Sequence, residues 1–107
     1  MAFTRYHNIT GSTGVDVQLL APGASDGNIK SVVITNTHDT ADATITLFIY
    51  QESSAKTYNI MHTVAVPADS SLLLDNEALL RFDNSLGGYG LYVTVGSSDT
   101  VDIILSN

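Results

Sequence analysis

The three histidines are the first residues of this chain to consider for chemistry. His7, His38 and His62 lie far apart in the sequence. A zinc site needs three or four converging ligands, usually with one closely spaced pair, and these spacings provide no such pair. His62 shares the alternation of Ile60 and Val64, which predicts a partly buried, hydrogen-bonded ring rather than a ligand. We therefore expect no metal site.

Acidic residues are the second candidates for chemistry. They form loose pairs near predicted turns: Asp39/Asp42, Asp69/Asp75 and Asp99/Asp102. Calcium loops alternate acids around a glycine, and no such run occurs, so calcium bridging between loops stays a minor alternative. No pair flanks a predicted cleft of the kind that glycoside hydrolysis requires. G-x-S-x-G and P-loop motifs are also lacking. We expect no catalytic residues and no cofactor, and hence not an enzyme.

Tyrosine is the third candidate, because aromatic rings on strands can form a sugar-binding platform. The five tyrosines are Tyr6, Tyr50, Tyr58, Tyr89 and Tyr92. Such platforms usually include tryptophan, and this chain has none. Tyrosine on a strand more often packs its ring and leaves its hydroxyl at the rim. A carbohydrate- or receptor-binding module therefore stays an alternative to a protein-binding role.

Composition restricts the class of protein further. The chain has 107 residues, no cysteine, and eleven acidic against four basic residues, for a net charge of −7. The bases are scattered, whereas binding of a phosphate backbone needs clustered cations, so we expect no nucleic-acid partner. Apolar runs are too short to span a membrane, and no signal-peptide segment is evident. We expect no membrane partner, and we expect the chain to be made in a cytoplasm.

The elements that must position these residues are β-strands. Alternating apolar and polar side chains predict eight of them: Tyr6–Thr10, Val15–Leu20, Ile29–Asn36, Ala43–Gln51, Thr57–Val66, Ser71–Asp75, Tyr89–Val95 and Val101–Leu105. Turn signals about every ten residues are typical of an all-β sandwich. We predict one antiparallel β-sandwich domain over residues 1–107, jelly-roll-like or Ig-like, since strand order is not visible in the pattern. Ser31–Tyr50 is predicted to form a hairpin.

The same alternation assigns the two faces of each strand. The inward set is predicted to be Val32, Ile34, Ile45, Leu47, Ile49, Ile60, Val64, Val66, Leu72, Leu74, Leu91, Val93, Val101, Ile103 and Leu105. The outward phase also contains apolar side chains, which together predict a second apolar surface. Its members are Val33, Phe48, Tyr50, Met61, Leu73 and Tyr92. We predict that Val33, Phe48, Tyr50, Met61 and Tyr92 form a protein interface.

Several segments of the chain form a recognisable series of strands and turns. Ser31–Tyr50 contains a strand ending in N-T, a polar turn and the run T-I-T-L-F-I. Tyr58-Asn59-Ile60 leads into VAVPADSSLLLD, and GGYGLYVTVGSSDTVDIILSN ends the chain. Together these segments resemble small virion proteins of tailed bacteriophages, especially those of marine bacteria. The resemblance covers residues 29–107 and consists of strands and turns rather than a catalytic motif.

The resemblance implies a structural subunit of a phage particle. The leading expectation is a capsid decoration (cement) protein on the capsid surface of the virion, which binds and stabilises the shell of major capsid protein. Such proteins are often trimeric, so we expect a homo-oligomer, with a trimer favoured. A tail, head–tail connector or fibre-associated module that contacts other virion proteins is the alternative placement.

Overall fold

The described strands of a computed structural model form two antiparallel sheets. The structure describes residues 4–11, 15–23, 29–75, 80, 82, 84, 87–96 and 98–106. Over these residues the strands are β1 (Thr4–Thr10), β2 (Asp16–Leu20), β3 (Ser31–Asn36), β4 (Ala43–Gln51), β5 (Lys56–Val66), β6 (Ser71–Leu74), β7 (Gly90–Val95) and β8 (Thr100–Ser106). The predicted all-β sandwich is confirmed, and the predicted strand bounds agree to within about two residues.

Strand order distinguishes the two predicted sandwich types. Sheet A has the order β1-β8-β3-β6, and sheet B has the order β2-β7-β4-β5. Four of the pairings therefore join β1 to β8, β2 to β7, β3 to β6 and β4 to β5, as if one long hairpin had been rolled up. This rolled arrangement of eight strands in two sheets is a jelly roll and not the Ig-like alternative.

The predicted hairpin over Ser31–Tyr50 is wrong. β3 pairs with β8 and β6 in sheet A, whereas β4 pairs with β7 and β5 in sheet B. Residues 37–42 therefore carry the chain from one sheet across to the other. Alternation identifies which face of each strand is buried but not the strand beside it, so a corner and a hairpin have the same pattern.

Asn36 organises this corner. It is a fully buried polar residue at the end of β3, and its side-chain nitrogen donates to the carbonyl oxygens of Ala41 at 2.7 Å and Val66 at 3.0 Å. Its side-chain oxygen accepts a hydrogen bond from the backbone N–H of His38 at 2.9 Å. The amide thus provides hydrogen-bond partners for three backbone groups at the point where the chain changes sheet.

The core lies between the sheets and follows the predicted alternation closely. Most of the predicted inward residues are fully buried: Val32, Ile34, Ile45, Leu47, Val66, Leu91, Val93, Val101, Ile103 and Leu105. Ile49, Ile60, Leu72 and Leu74 are half-buried and pack against this cluster. Leu19, Leu20, Ile29 and Leu80 complete it from positions that the alternation did not assign. A core of this size supports the domain without disulfides.

β5 departs from regular alternation because it carries two extra residues. Its 11 residues pair with the 9 of β4. The register passes from Ile45↔Val64 to Leu47↔Met61 and then to Phe48↔Asn59, which marks two bulges. Each bulge shifts the side-chain phase of the bulged strand by one residue.

The bulges overturn one prediction directly. His62 is exposed, not partly buried, because it lies in the first bulge beside Thr63, whose φ is 49°. The backbone N–H of Thr63 donates to the hydroxyl of Thr46 at 3.0 Å instead of to a regular strand partner. A sequence pattern read with a strict period of two cannot show such an insertion.

Candidate interaction surfaces

Three of the predicted interface residues meet on the outer face of sheet B. Phe48 and Tyr92 are directly opposite each other on β4 and β7, with stacked rings whose centroids are 5.6 Å apart. Tyr50 contacts the Tyr92 ring edge-on, at 5.9 Å between centroids. We call Phe48, Tyr50 and Tyr92 the aromatic patch. Both ring arrangements are favourable ones for aromatic pairs.

The three rings of the aromatic patch differ in the surface area that they expose to a partner. Phe48 is only 7% exposed although its register places it on the outer face. Tyr50 and Tyr92 are half-buried, and the Tyr92 hydroxyl accepts a hydrogen bond from the Gln18 side chain at 2.9 Å. Phe48 therefore anchors the patch by packing within the chain, and the two tyrosines supply its accessible surface.

Gly90 provides the space in which the Tyr92 ring lies. It is opposite Tyr50 on β4. A Cβ atom at Gly90 would lie 3.0 Å from the Tyr92 ring, 2.9 Å from the carbonyl oxygen of Leu20 and 3.1 Å from the Pro22 ring. Any larger residue would have to displace backbone as well as an aromatic side chain, so the glycine permits the observed packing.

The other two predicted interface residues do not join the aromatic patch. Met61 is opposite Leu47 and packs against the core, because the bulges in β5 rotate it inward. Val33 lies on β3 in sheet A, opposite Leu73, and therefore on the other side of the sandwich. The single second apolar surface expected from the sequence is thus two separate surfaces, one on each sheet.

Val33 belongs to a row of apolar side chains that crosses the whole of sheet A. Tyr6 is opposite Ile104, Ile104 is opposite Val33, and Val33 is opposite Leu73. We call Tyr6, Ile104, Val33 and Leu73 the apolar stripe. Its two ends are well exposed, Tyr6 at 74% and Leu73 at 56%. Tyr6 and Ile104 were missed as surface candidates because only the strand register brings them beside Val33.

Polar rows border the apolar stripe on both sides. On one side Asn8 donates to Asp102, and the hydroxyls of Thr35 and Ser71 share a hydrogen bond at 2.8 Å. On the other side the hydroxyls of Ser31 and Ser106 are hydrogen-bonded. The neutral side chains among them are already paired across neighbouring strands, so covering them would cost less desolvation free energy than covering unpaired groups. Asp102 is charged, so covering it keeps a desolvation cost.

A second pair of aromatic rings lies away from both surfaces. The ring centroids of Tyr58 and Tyr89 are 6.0 Å apart and tilted by 57°, and Tyr58 is 55% exposed. A surface depression of about 510 Å³ is lined by Pro22, Glu52, Ser53, Gly87 and Gly88, of which the two glycines directly precede Tyr89 in the chain. The Gln51 side chain donates to the carbonyl oxygen of Gly87 at 3.1 Å and ties this rim together.

The three histidines stay apart in the fold. His7 lines a depression on sheet A, the His38 ring lies 3.3 Å from the carbonyl oxygen of Ser98, and His62 is exposed on β5. Within the described part of the chain, no group of three or more metal-ligating side chains comes together. Nothing in these positions assembles a nucleophile with a base.

The carboxylates have local structural partners. Asp99 accepts a hydrogen bond from the backbone N–H of Thr44 at 3.1 Å, and Asp16 accepts one from the Thr94 hydroxyl at 2.7 Å. The first bond holds the connection between β7 and β8 against β4, and the second links the neighbouring strands β2 and β7.

No protein-family model, curated protein or solved structure matches this chain. No helix within the described ranges has the length and apolar character needed to cross a membrane.

Proposed function

We propose that this protein is a structural subunit of a phage particle, a capsid decoration protein that binds the shell of major capsid protein from outside and stabilises it. The aromatic patch carries the proposal. Tyr50 and Tyr92 present half-buried rings on a sheet face. The Tyr92 ring is held by stacking on Phe48 and by the hydrogen bond from Gln18 to its hydroxyl. Tyrosine is enriched in protein interfaces because its ring buries a large area with few rotatable bonds.

Two further observations support the proposal. Jelly rolls occur in viral capsid proteins, although they also occur in lectins and cupins, so the fold alone assigns no function. The segments over residues 29–107 resemble virion proteins of tailed phages. A protein that binds only the assembled shell stabilises it by mass action, which requires a contact surface and no catalytic group.

The first test is a copy number. Particles purified from lysed host cells are analysed by quantitative mass spectrometry against the major capsid protein. A copy number on the scale of the whole shell supports a decoration protein. A copy number matching a single ring would favour a tail or connector component, and absence from the particle would refute the proposal.

The second test uses paired variants. Tyr50→Asp removes a ring from the aromatic patch and adds a negative charge, while Thr40→Asp adds the same charge at an exposed position in the β3–β4 connection. Binding to shells lacking this protein is measured by co-sedimentation. We expect Tyr50→Asp to weaken binding at least tenfold and Thr40→Asp to leave it unchanged. Equal binding by both variants would exclude the aromatic patch as the contact surface.

The Tyr58–Tyr89 pair favours a second candidate function, a carbohydrate- or receptor-binding module. A sugar ring can stack on an exposed aromatic face, and Glu52 and Ser53 at the neighbouring depression offer polar groups to its hydroxyls. Screening on a glycan array, with and without calcium, tests it. Binding that Tyr58→Ala abolishes and Tyr6→Ala retains would support this function. No binding in either condition would count against it.

A further inference from the structure

We propose that the apolar stripe of sheet A is a self-association surface on which a second copy of this chain packs face to face. This inference goes beyond the proposed function, because it concerns a different sheet from the aromatic patch and holds whether or not the partner of that patch is a capsid. It rests on the shape of the stripe, on the polar rows beside it, and on where the charges of the chain lie.

The shape of the stripe suits a symmetric contact. Tyr6, Ile104, Val33 and Leu73 form one straight row from edge to edge of sheet A. A two-fold axis in the plane of the interface places the stripe of one chain against the same stripe of the second chain, which is an isologous contact. With the axis parallel to the strands, the Leu73 of one copy faces the Tyr6 of the other.

A surface depression favours this orientation of the axis. It has a volume of about 370 Å³ and lies beside Tyr6, lined by Tyr6, His7, Asn8, Asp102, Ile103 and Ile104. Leu73 is the exposed apolar side chain at the opposite end of the stripe. The axis parallel to the strands brings Leu73 of each copy over this depression, whereas an axis along the stripe would place Leu73 against Leu73.

The distribution of charge favours a second copy over a basic partner. Among the outer-face side chains that the structure describes on sheet A, Asp102 is the single charged one, and Asn8 donates a hydrogen bond to it. Six other described acids lie in the connections between strands: Asp39, Asp42, Glu52, Asp69, Asp75 and Asp99. Two acidic copies can therefore meet through this face while most of their like charges stay at the ends of the sandwich. A surface for a basic protein would place acids on the face itself.

The available area predicts a weak dimer. The strands of sheet A have seven, seven, six and four residues. At about 3.4 Å per residue and about 4.8 Å between strands they give a flat face of roughly 400 Å² per copy. Two copies bury roughly 800 Å², which is below the value of about 1,000 Å² for specific, stable interfaces and in the range of weak, transient contacts. We therefore expect a weak monomer–dimer equilibrium at high protein concentration rather than a permanent dimer.

Sedimentation velocity of the full-length protein over a range of concentrations tests the proposal. Leu73→Asp is expected to weaken the dimer at least tenfold, while Asn59→Asp, the same charge change on an exposed position of sheet B, leaves it unchanged. Raising the salt concentration should tighten the wild-type dimer, because it screens the repulsion between two chains of charge −7. A monomer at all concentrations, a trimer, or loss of self-association in Asn59→Asp alone would overturn the proposal.

Chemical cross-linking tests the axis, and the chain has no cysteine to interfere. Tyr6→Cys and Leu73→Cys proteins are mixed and treated with a short bismaleimide. The proposed axis predicts a mixed cross-link that forms faster than either self-cross-link, because the two Leu73 positions lie roughly 14 Å apart across the strands. Faster self-cross-linking of Leu73→Cys would overturn this axis, and equal cross-linking of Asn59→Cys would overturn the surface.

Discussion

The outer faces of the two sheets present apolar side chains in different ways. On sheet B the aromatic patch covers much of itself, so that Phe48 is only 7% exposed. On sheet A the apolar stripe runs in a straight row, and its ends Tyr6 and Leu73 are more than half exposed. Stacked rings cover one another within one chain, whereas a row that is one side chain wide leaves its end residues exposed. The same alternation in sequence thus produces a self-supporting patch on one face and an open stripe on the other.

The largest expected effect tests this contrast by removing one side chain from each face. Phe48→Ala should lower the free energy of unfolding by about 3 kcal/mol, because it empties a packed position. Leu73→Ala should change it by less than about 0.5 kcal/mol in the monomer, because Leu73 is an exposed surface residue. Urea denaturation at low protein concentration measures both values. Equal losses for the two variants would show that the two faces do not differ as described.

For the same reason Phe48→Asp would test folding rather than binding. A substitution at Tyr50 keeps Phe48, the anchor of the patch, intact and therefore reports on binding. A cooperative unfolding transition for Tyr50→Asp close to that of the wild type is the necessary control.

The next largest effect concerns the corner through which the chain passes from sheet A to sheet B. Asn36→Ala should cost about 2 kcal/mol of stability, because it leaves the carbonyl oxygens of Ala41 and Val66 and the N–H of His38 without this partner. Asn59→Ala, at an exposed position, is the matched control and should cost under about 0.5 kcal/mol. Thermal or urea unfolding measures the difference. A similar stability of both variants would contradict the assigned role of Asn36.

A smaller effect is expected for Gly90→Ala, which fills the space used by the aromatic patch. We expect a loss of about 1–2 kcal/mol, because the added methyl group meets the Tyr92 ring and the Leu20 carbonyl oxygen. A double-mutant cycle with Tyr92→Ala sharpens the test, since removal of the ring should reduce the cost of Gly90→Ala. Strict additivity of the two changes would show that the ring and the glycine are not coupled.

The smallest expected effect is a gain in stability instead of a loss. It is tested by comparing substitutions at two positions on the edge strand of sheet B. Thr63 has a φ of 49°, which is unfavourable for a β-branched residue, so Thr63→Gly should stabilise the protein by about 0.5–1 kcal/mol. Thr57→Gly, at an extended position of the same strand, should destabilise it by about the same amount. The urea concentration at the midpoint of unfolding, compared between variants with the same m-value, distinguishes the two substitutions. Destabilisation by both changes would show that the bulge does not strain Thr63.

The differences between prediction and structure have physical causes at particular residues. Ile34 and Leu47 were assigned to the core correctly, because burial of one strand face leaves a period of two in the sequence. His62 and Met61 were misplaced, because a bulge inserts a residue without altering the residue types around it. Among the candidate interface residues, Phe48, Tyr50 and Tyr92 were predicted together and do meet. Tyr6 was not connected with Val33, because they are 27 positions apart in the sequence and become neighbours only through the pairing of both strands with β8.

The sequence by itself determined the class of the fold, the approximate strand bounds and most of the core, since these follow from alternation along one strand at a time. The tertiary structure alone decided that Ser31–Tyr50 turns a corner rather than a hairpin, that the strands roll into a jelly roll, and which outward side chains become neighbours. The reason is that lateral pairing joins residues distant in the chain through backbone hydrogen bonds, which any residue except proline can make equally well. The aromatic patch and the apolar stripe are both products of that pairing.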